Sequence, residues 1–178
     1  FGSFWGGLKL VKLDDDMVRL AKPEKWYHIA SRPNTEHGPI EAPYIFKKNG
    51  YYYLFVSFDK CCRGVESTYN VRVGRSKNIE GPYLDQQGRS MVDGGGSLVI
   101  EGNKDWAALG HNSAYTFDGK DYLVLHAYET ADNGVQKLRI LPMSWKNDWP
   151  IMGRDHDKNG IGEPGLQHKK PNVGKSYS

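Results

Sequence analysis

The sequence has few cysteines, and their arrangement does not indicate a disulfide framework. Two cysteines occur in 178 residues, Cys61 and Cys62, and they are neighbours. A disulfide normally needs a Cα–Cα separation wider than the roughly 3.8 Å that one trans peptide spans. We therefore predict a half-buried pair of free thiols in a pocket wall. A zinc site is not indicated either, because no further Cys or nearby His completes a ligand set.

Long apolar runs and blocks of like charge are also missing from the sequence. No segment approaches the ~20 apolar residues that cross a bilayer, so we predict no membrane partner. The formal net charge is +3, with basic residues scattered among acidic ones, which argues against a nucleic-acid partner. The sequence opens without a signal peptide or initiator Met, in the alternating segment FGSFWGGLKLVKL. We therefore expect that an upstream part is missing.

Aromatic residues, in contrast, are abundant. The chain contains 11 Tyr, 5 Trp and 6 Phe. Such a composition does not fit disorder, which is poor in aromatic residues, and the length suits one ordinary domain with a real core. The composition is typical of an all-β protein whose sites stack flat rings against a flat ligand.

Strand patterns recur along the chain in a repeated order. PYIF and YYYLFVSF flank Asn49-Gly50, and AYTF and DYLVLHAY flank Asp118-Gly119. Both pairs of turn residues tolerate positive φ and therefore predict hairpins. Each hairpin is followed at nearly the same offset by a third strand, NVRVGRS or KLRILPM. A short closing segment comes next, GPYLD or NDWPIM. No amphipathic helix is predicted.

This repeat favours a β-propeller. The alternating segment LKLVKL at 8–13 lies about one period before the first hairpin. We predict two blades preceded by the last strands of a third. A sandwich of hairpins gives similar spacing and is the alternative. Because a propeller closes with roughly four to eight blades, we expect the missing N-terminal blades on another chain or segment.

Two regions are predicted, a partial propeller over residues 1–150 and a linker over residues 151–178. The linker is rich in Gly, Pro, Asn and Lys and lacks hydrophobic periodicity. It contains Asp155, Asp157, Asn159 and Gly160, which match the start of a calcium-binding EF-hand loop. The closing Glu is missing at the required spacing and no helices flank the segment, so we interpret the match as chance.

Two polar residues occupy nearly equivalent positions ahead of the innermost strands of the two predicted blades. Glu41 precedes PYIF, and His111 precedes AYTF within one position of the same offset. The first strand of a propeller blade lines the central channel, so both residues are predicted to face it. A carboxyl group desolvated against aromatic walls suits a general acid. A surface charge at Glu41 and a hydrogen-bonded structural histidine at His111 are the alternatives.

Three long segments resemble the arabinanases of glycoside hydrolase family 43. They are FGSFWGGLKLVKLD, then IEAPYIFKKNGYYYLFVSFDKCCRGVESTYNVRVGRSKNIEGPYLD, and finally GHNSAYTFDGKDYLVLHAY. The resemblance covers residues 1–150 and implies a five-bladed propeller. It also implies inverting hydrolysis of α-1,5-linked L-arabinan. An exo-acting arabinofuranosidase or β-xylosidase of the same family, or a non-catalytic carbohydrate-binding propeller, is the alternative. Secretion or a periplasmic location is implied by the family only, and a cytoplasmic one stays open.

The resemblance also implies roles for individual residues. Glu41 in EAPYI is similar to the family's general acid. His111 in GHNS is similar to the ligand of a calcium or sodium ion at the propeller centre, whose other ligands are mostly water. Ser3 in GSFW resembles a sugar-contacting serine. Phe4 and Trp5 are predicted either to stack on sugar rings or to pack inside a blade.

The chain departs from the family pattern in its carboxylates. The family uses two further aspartates, a general base and a residue that orients the acid, and both precede FGSFW in its pattern. The aspartates at 14–16 are not substitutes, because they follow a strand on an outer turn. Inverting hydrolysis needs two carboxylates roughly 6.5–9.5 Å apart. The isolated chain is therefore predicted to be inactive. Its tail also resembles the lead-in to an additional C-terminal β-sandwich.

Overall fold

The computed structural model describes residues 1–153 of the chain. The predicted linker, including its calcium-loop match, lies outside these residues apart from 151–153. Within the described part, ten β-strands are accompanied by short 3-10 turns only, and no helix is long and apolar enough to span a membrane. The strands are β1 Leu8–Val11, β2 Trp26–Ala30, β3 Ile40–Lys48, β4 Tyr51–Phe58, β5 Asn70–Ser76, β6 Ser97–Ile100, β7 Trp106–Phe117, β8 Lys120–Glu129, β9 Val135–Lys146 and β10 Trp149–Met152.

The strands form three antiparallel sheets in chain order. β1 pairs with β2 in a two-stranded sheet, β3 to β6 form a four-stranded meander, and β7 to β10 form a second one. We call the two meanders the first blade and the second blade. The all-β fold and the repeated blades preceded by part of another are confirmed. The arrangement is that of propeller blades.

Both predicted hairpin turns are present. Lys48 pairs with Tyr51 across Asn49-Gly50, and Phe117 pairs with Lys120 across Asp118-Gly119. All four turn residues have positive φ, between 48° and 73°. Asn, Asp and Gly adopt this backbone region more readily than other residues, so the turn chemistry fixes the register of both inner hairpins.

The prediction that GPYLD closes the first blade is wrong. The fourth strand is β6, and Leu84 of that segment makes only isolated bridges with Arg75 and Ser90. The intervening loop is organised by Asp85, whose buried carboxylate accepts backbone N–H bonds from the loop. Sequence patterns did not reveal β6 or β2 either. Both strands are too short to show a clear alternation. The loop around Asp85 is held by side-chain hydrogen bonds, which leave no periodic pattern in the sequence.

The largest hydrophobic cluster lies between the two blades. Its members come from facing surfaces of both sheets, so each blade covers the apolar face of the other. The buried residues are Phe46, Tyr53, Phe55, Val71, Val73 and Ile100 from the first blade, and Leu109, Ala114, Leu123, Leu125, Ala127, Leu141 and Met143 from the second. A smaller cluster joins β1 and β2 to the other side of the first blade.

One buried carboxylate reinforces the interface between the blades at the hairpin end. Asp121 of β8 accepts hydrogen bonds from Thr116 (2.6 Å) and Trp145 (2.7 Å) of its own blade. It also pairs with Lys48 of the first blade at 2.6 Å. Burial on its own would raise the pKa of Asp121, but the bonds from Lys48, Thr116 and Trp145 outweigh it and lower the pKa.

Replacing Asp121 by Ala is expected to destabilise the fold at neutral pH by about 3 kcal/mol, because three donors lose a charged partner. Since the folded-state pKa is lowered, this stabilisation exists above the unfolded value of about 3.9 and is lost as pH falls through the folded value. Urea unfolding of the protein that carries this chain, at pH 7 and at about pH 3, measures both effects.

Asp15 provides the control for this experiment, since it is exposed in the turn after β1. Asp15→Ala is expected to change the free energy of unfolding by less than about 0.5 kcal/mol. Equal losses in the two variants at pH 7, or a loss in Asp121→Ala that stays undiminished at pH 3, would contradict the role given to Asp121.

Candidate active site

Glu41 lies at an irregularity near the start of β3. It pairs with Ser57 of β4, and the register then shifts before the next pair, Tyr44 with Phe55. Ala42, directly after it, has a φ of 52°, in the left-handed region that alanine rarely adopts. Such bulges re-aim side chains next to functional sites. Glu41 is half-buried as a result and is not a freely solvated surface charge.

The carboxyl group of Glu41 is held by a buried tyrosine. The hydroxyl of Tyr69 donates to Oε1 of Glu41 at 2.6 Å, and Tyr69 itself is 1% exposed. Burial raises the pKa of Tyr69, and the bond to Glu41 raises it further. Tyr69 therefore remains a phenol, able to donate this bond, throughout the neutral range.

His111 lies on the second blade beside this pair. Its backbone N–H donates to Oγ of Ser57 at 2.8 Å, and Ser57 is the strand partner of Glu41. The register of β7 shifts between Gly110 and Ser113, and His111 lies in this irregularity with a φ of 51° and an exposed side chain. The structure thus brings together the two residues that the sequence placed at equivalent positions, and both lie at backbone irregularities.

A second histidine, which sequence reasoning missed, completes the cluster. The ring of His126 stacks between those of Tyr69 (5.7 Å between centroids) and His111 (6.4 Å). Its Nε2 is buried without a hydrogen-bond partner. Burial lowers the pKa of His126, and the neighbouring His111 lowers it further while Glu41 opposes the change. His126 is therefore neutral at pH 7 and adds no positive charge beside Glu41.

Gly110 is the one sequence feature that could have indicated this packing. A glycine inside a strand often marks the close approach of another group. A Cβ at Gly110 would lie 2.1 Å from the Tyr69 ring, so only glycine lets β7 approach Tyr69 this closely. Tyr69 and His126 themselves carry no comparable signal, because each stands among many aromatic strand residues.

An ion-pair network holds the entrance of β3. Arg32 donates to Asp59 at 2.7 Å and to the carbonyl oxygen of Pro39 at 3.0 Å. Asn70 donates to the other oxygen of Asp59 at 2.8 Å and accepts from Arg72 at 2.7 Å. Asp59 is therefore committed to structural contacts that fix the segment leading to Glu41.

The three predicted sugar contacts lie next to the same segment. Phe4 and Trp5 belong to a short 3-10 turn, and the main chain at Trp5 passes 3.7 Å from the position of a Cβ on Gly38. Trp5 is 77% exposed, and its ring lies 5.7 Å from that of Phe4 and 6.2 Å from that of His37 between centroids. Ser3 is exposed and Phe4 is half-buried.

The described residues offer little for a metal ion. Among residues 1–153, no three His, Cys, Asp or Glu side chains converge as a metal-binding group. His111 contributes a single exposed imidazole. Residues 1–153 therefore do not form a centre built from three or more such side chains, and the ion at His111 stays a prediction.

The prediction of two free thiols is wrong, because Cys61 and Cys62 form a disulfide. Short Cα separation does not forbid the bond when the backbone turns both side chains to one side. Cys62 has a φ of 69° and supplies this turn. Its N–H donates to the hydroxyl of Tyr128 at 3.2 Å, and the Tyr128 ring meets His126 edge-on at 5.7 Å. The disulfide loop is thus attached to the aromatic cluster.

Gly110→Ala is expected to displace Tyr69 or β7 and to destabilise the fold by about 2 kcal/mol, as overpacking does. The melting temperature of the protein that carries this chain measures the effect. Gly6→Ala is the control, because its Cβ would meet nothing within 4 Å. The close contact would be refuted if the two variants melted together.

Comparison with known proteins identifies the family of this chain. The family model of the glycosyl hydrolases family 43 matches residues 2–150. An extracellular exo-α-(1→5)-L-arabinofuranosidase of Cellvibrio japonicus is 58% identical over 159 residues, covering 84% of this chain and 46% of the relative. An extracellular endo-α-(1→5)-L-arabinanase of Bacillus subtilis is 50% identical over 151 residues, covering 84% and 45%.

Solved structures agree with these matches. The Cellvibrio cellulosa α-L-arabinanase in complex with arabinohexaose superposes with a TM-score of 0.84 at 55% identity, covering 90% of this chain and 54% of that one. The native arabinanase of Bacillus subtilis gives 0.73 at 49% identity, covering 85% and 50%. The chain spans about half the length of the relatives it matches. The propeller fold is confirmed, and the chain belongs to family 43 of the glycosyl hydrolases.

Proposed function

We propose that this chain carries the general acid of an inverting glycosidase that cleaves α-1,5-linked L-arabinan. The observation that carries the proposal is the half-buried carboxyl group of Glu41. Its Oε1 accepts the hydrogen bond of Tyr69, and among the described residues no donor reaches Oε2. Oε2 is therefore available to bear the proton for the leaving glycosidic oxygen. Relatives named for α-1,5-arabinan activity support the substrate class.

In this mechanism Glu41 is one of two carboxylates. Its proton passes from Oε2 to the glycosidic oxygen as the bond to the anomeric carbon breaks. A carboxylate outside residues 1–153 activates water on the opposite face of the sugar, at a separation of roughly 6.5–9.5 Å from Glu41. Asp59 does not serve as this base in the proposal, because both of its oxygens are occupied.

The N-terminal segment of the chain provides the proposed sugar contacts. Ser3, Phe4 and Trp5 bind arabinose units beside the entrance of β3, where the exposed Trp5 ring is available for stacking. The arabinohexaose complex of the Cellvibrio relative supports an oligosaccharide ligand. Because both curated relatives are called extracellular, we propose that the enzyme is secreted.

Glu41→Gln tests the acid in the protein that carries this chain. The amide cannot donate a proton with comparable acidity, so kcat on linear arabinan is expected to fall by about 10³-fold, near the middle of the range for acid catalysis. Reducing-sugar release measures the rate. Glu80→Gln is the control, since Glu80 is exposed in the loop after β5 and should retain wild-type activity.

Other outcomes separate the competing functions. Undiminished turnover in Glu41→Gln would overturn the assignment of the acid. A wild-type protein that binds arabinan without cleaving it would favour the carbohydrate-binding propeller. The relatives differ in mode, one exo-acting and one endo-acting. Loss of viscosity early in the reaction indicates endo cleavage, and early release of small products alone indicates exo cleavage.

We also propose that His111 provides the protein ligand of a mostly hydrated calcium or sodium ion. Bound there, the ion would supply positive charge at the propeller centre. If the ion is calcium, EDTA is expected to lower the melting temperature of the protein that carries this chain, and added calcium to restore it. His111→Ala should melt at the same temperature with and without EDTA. An equal response to EDTA in His111→Ala and wild type would rule out His111 as the ligand.

A further inference from the structure

Two hydrogen bonds meet where the blades touch. The hydroxyl of Tyr69 donates to Oε1 of Glu41. Ser57, the strand partner of Glu41, accepts the backbone N–H of His111 from the second blade. The carboxyl group of Glu41 is thus held by Tyr69 directly beside a bond that joins the two blades.

The Tyr69 ring has little freedom to move. On one side, the backbone of Gly110 packs directly against the ring, so closely that a Cβ on Gly110 would lie 2.1 Å from it. His126 stacks nearly parallel to the ring, at an interplanar angle of 23°. A side chain locked by packing holds its hydroxyl in one place, and a catalytic group needs that kind of support.

We infer that Tyr69 is a positioning residue of Glu41: it fixes one carboxyl oxygen, directs the other toward the substrate and stabilises the carboxylate formed when the proton leaves. This inference rests on the proposed function. The bond strengthens during the reaction because Glu41 changes from a neutral acid to an anion, and hydrogen bonds to ionised groups are the stronger ones. Tyr69 gives no proton to the substrate; it acts through Glu41.

Tyr69→Phe removes the hydroxyl and retains the ring that contacts Gly110 and His126. On linear arabino-oligosaccharides, kcat is expected to fall about 10- to 100-fold with KM changed less than about threefold. Because a hydrogen bond donated to a carboxylate favours the ionised form, removing this donor should move the alkaline limb of the kcat/KM profile upward in pH.

Tyr83→Phe is the matched control. Tyr83 is equally buried, at 1% exposure, and its hydroxyl donates to a backbone oxygen, that of Ile79, at 2.7 Å. Removing it deletes one buried hydrogen bond in the same blade away from Glu41. Its kcat and pH profile are expected to match wild type, even where its melting temperature falls as far as that of Tyr69→Phe.

The choice of leaving group separates catalysis from folding. Aryl α-1,5-arabinobiosides serve as the substrates. As a leaving group, 2,4-dinitrophenolate departs without acid assistance, whereas 4-methoxyphenolate needs a proton from the acid. Tyr69→Phe should therefore be slowed about 10- to 100-fold on the second substrate and less than about threefold on the first. The ratio of the two rates within one preparation does not depend on how much of the variant is folded.

Each result decides the inference. Equal slowing on both substrates, or a pH profile identical to that of wild type, would show a purely structural role and overturn it. A wild-type protein active on arabinan with Tyr69→Phe matching Tyr83→Phe would overturn the inference and leave the proposed function standing. A wild type without glycosidase activity would overturn both.

Discussion

The close packing of one blade face on the other is the constraint on which the rest of the structure depends. Neither four-stranded sheet can bury its apolar face alone, and the main hydrophobic cluster is drawn from both blades. At the hairpin end, Lys48 and Asp121 join the blades by an ion pair. At the opposite end, Gly110 lies against the Tyr69 ring. The relative position of the blades is fixed at both ends.

This packing explains how two residues far apart in sequence share one site. Glu41 lies at a register irregularity near the start of β3, and His111 lies at one in the middle of β7. Ala42 and His111 adopt left-handed backbone conformations that cost free energy outside glycine. The surrounding hydrogen bonds, from Tyr69 and to Ser57, hold these conformations. Backbone strain of this kind is found at functional sites, where it orients particular side chains.

Two side chains close to Glu41 carry no charge at neutral pH. Tyr69 stays protonated, and His126 stays uncharged because it is buried beside His111. The cations nearest the entrance of β3 are engaged in the network around Asp59. Glu41 therefore has a neutral donor in Tyr69 and a neutral neighbour in His126. The loop that contains the Cys61–Cys62 disulfide is connected to the same cluster by Tyr128.

The sequence by itself determined the parts that depend on local chemistry. Asn49-Gly50 and Asp118-Gly119 fixed the inner hairpins, strand patterns predicted the strands of both blades apart from β6, and the repeat placed Glu41 and His111 at matching positions. Tertiary structure alone decided the partners of these residues. Tyr69 and His126 reach the site because two sheets pack face to face, and adjacent cysteines bond because the backbone turns at Cys62. Such contacts join residues without any fixed sequence spacing, so no periodic pattern reports them.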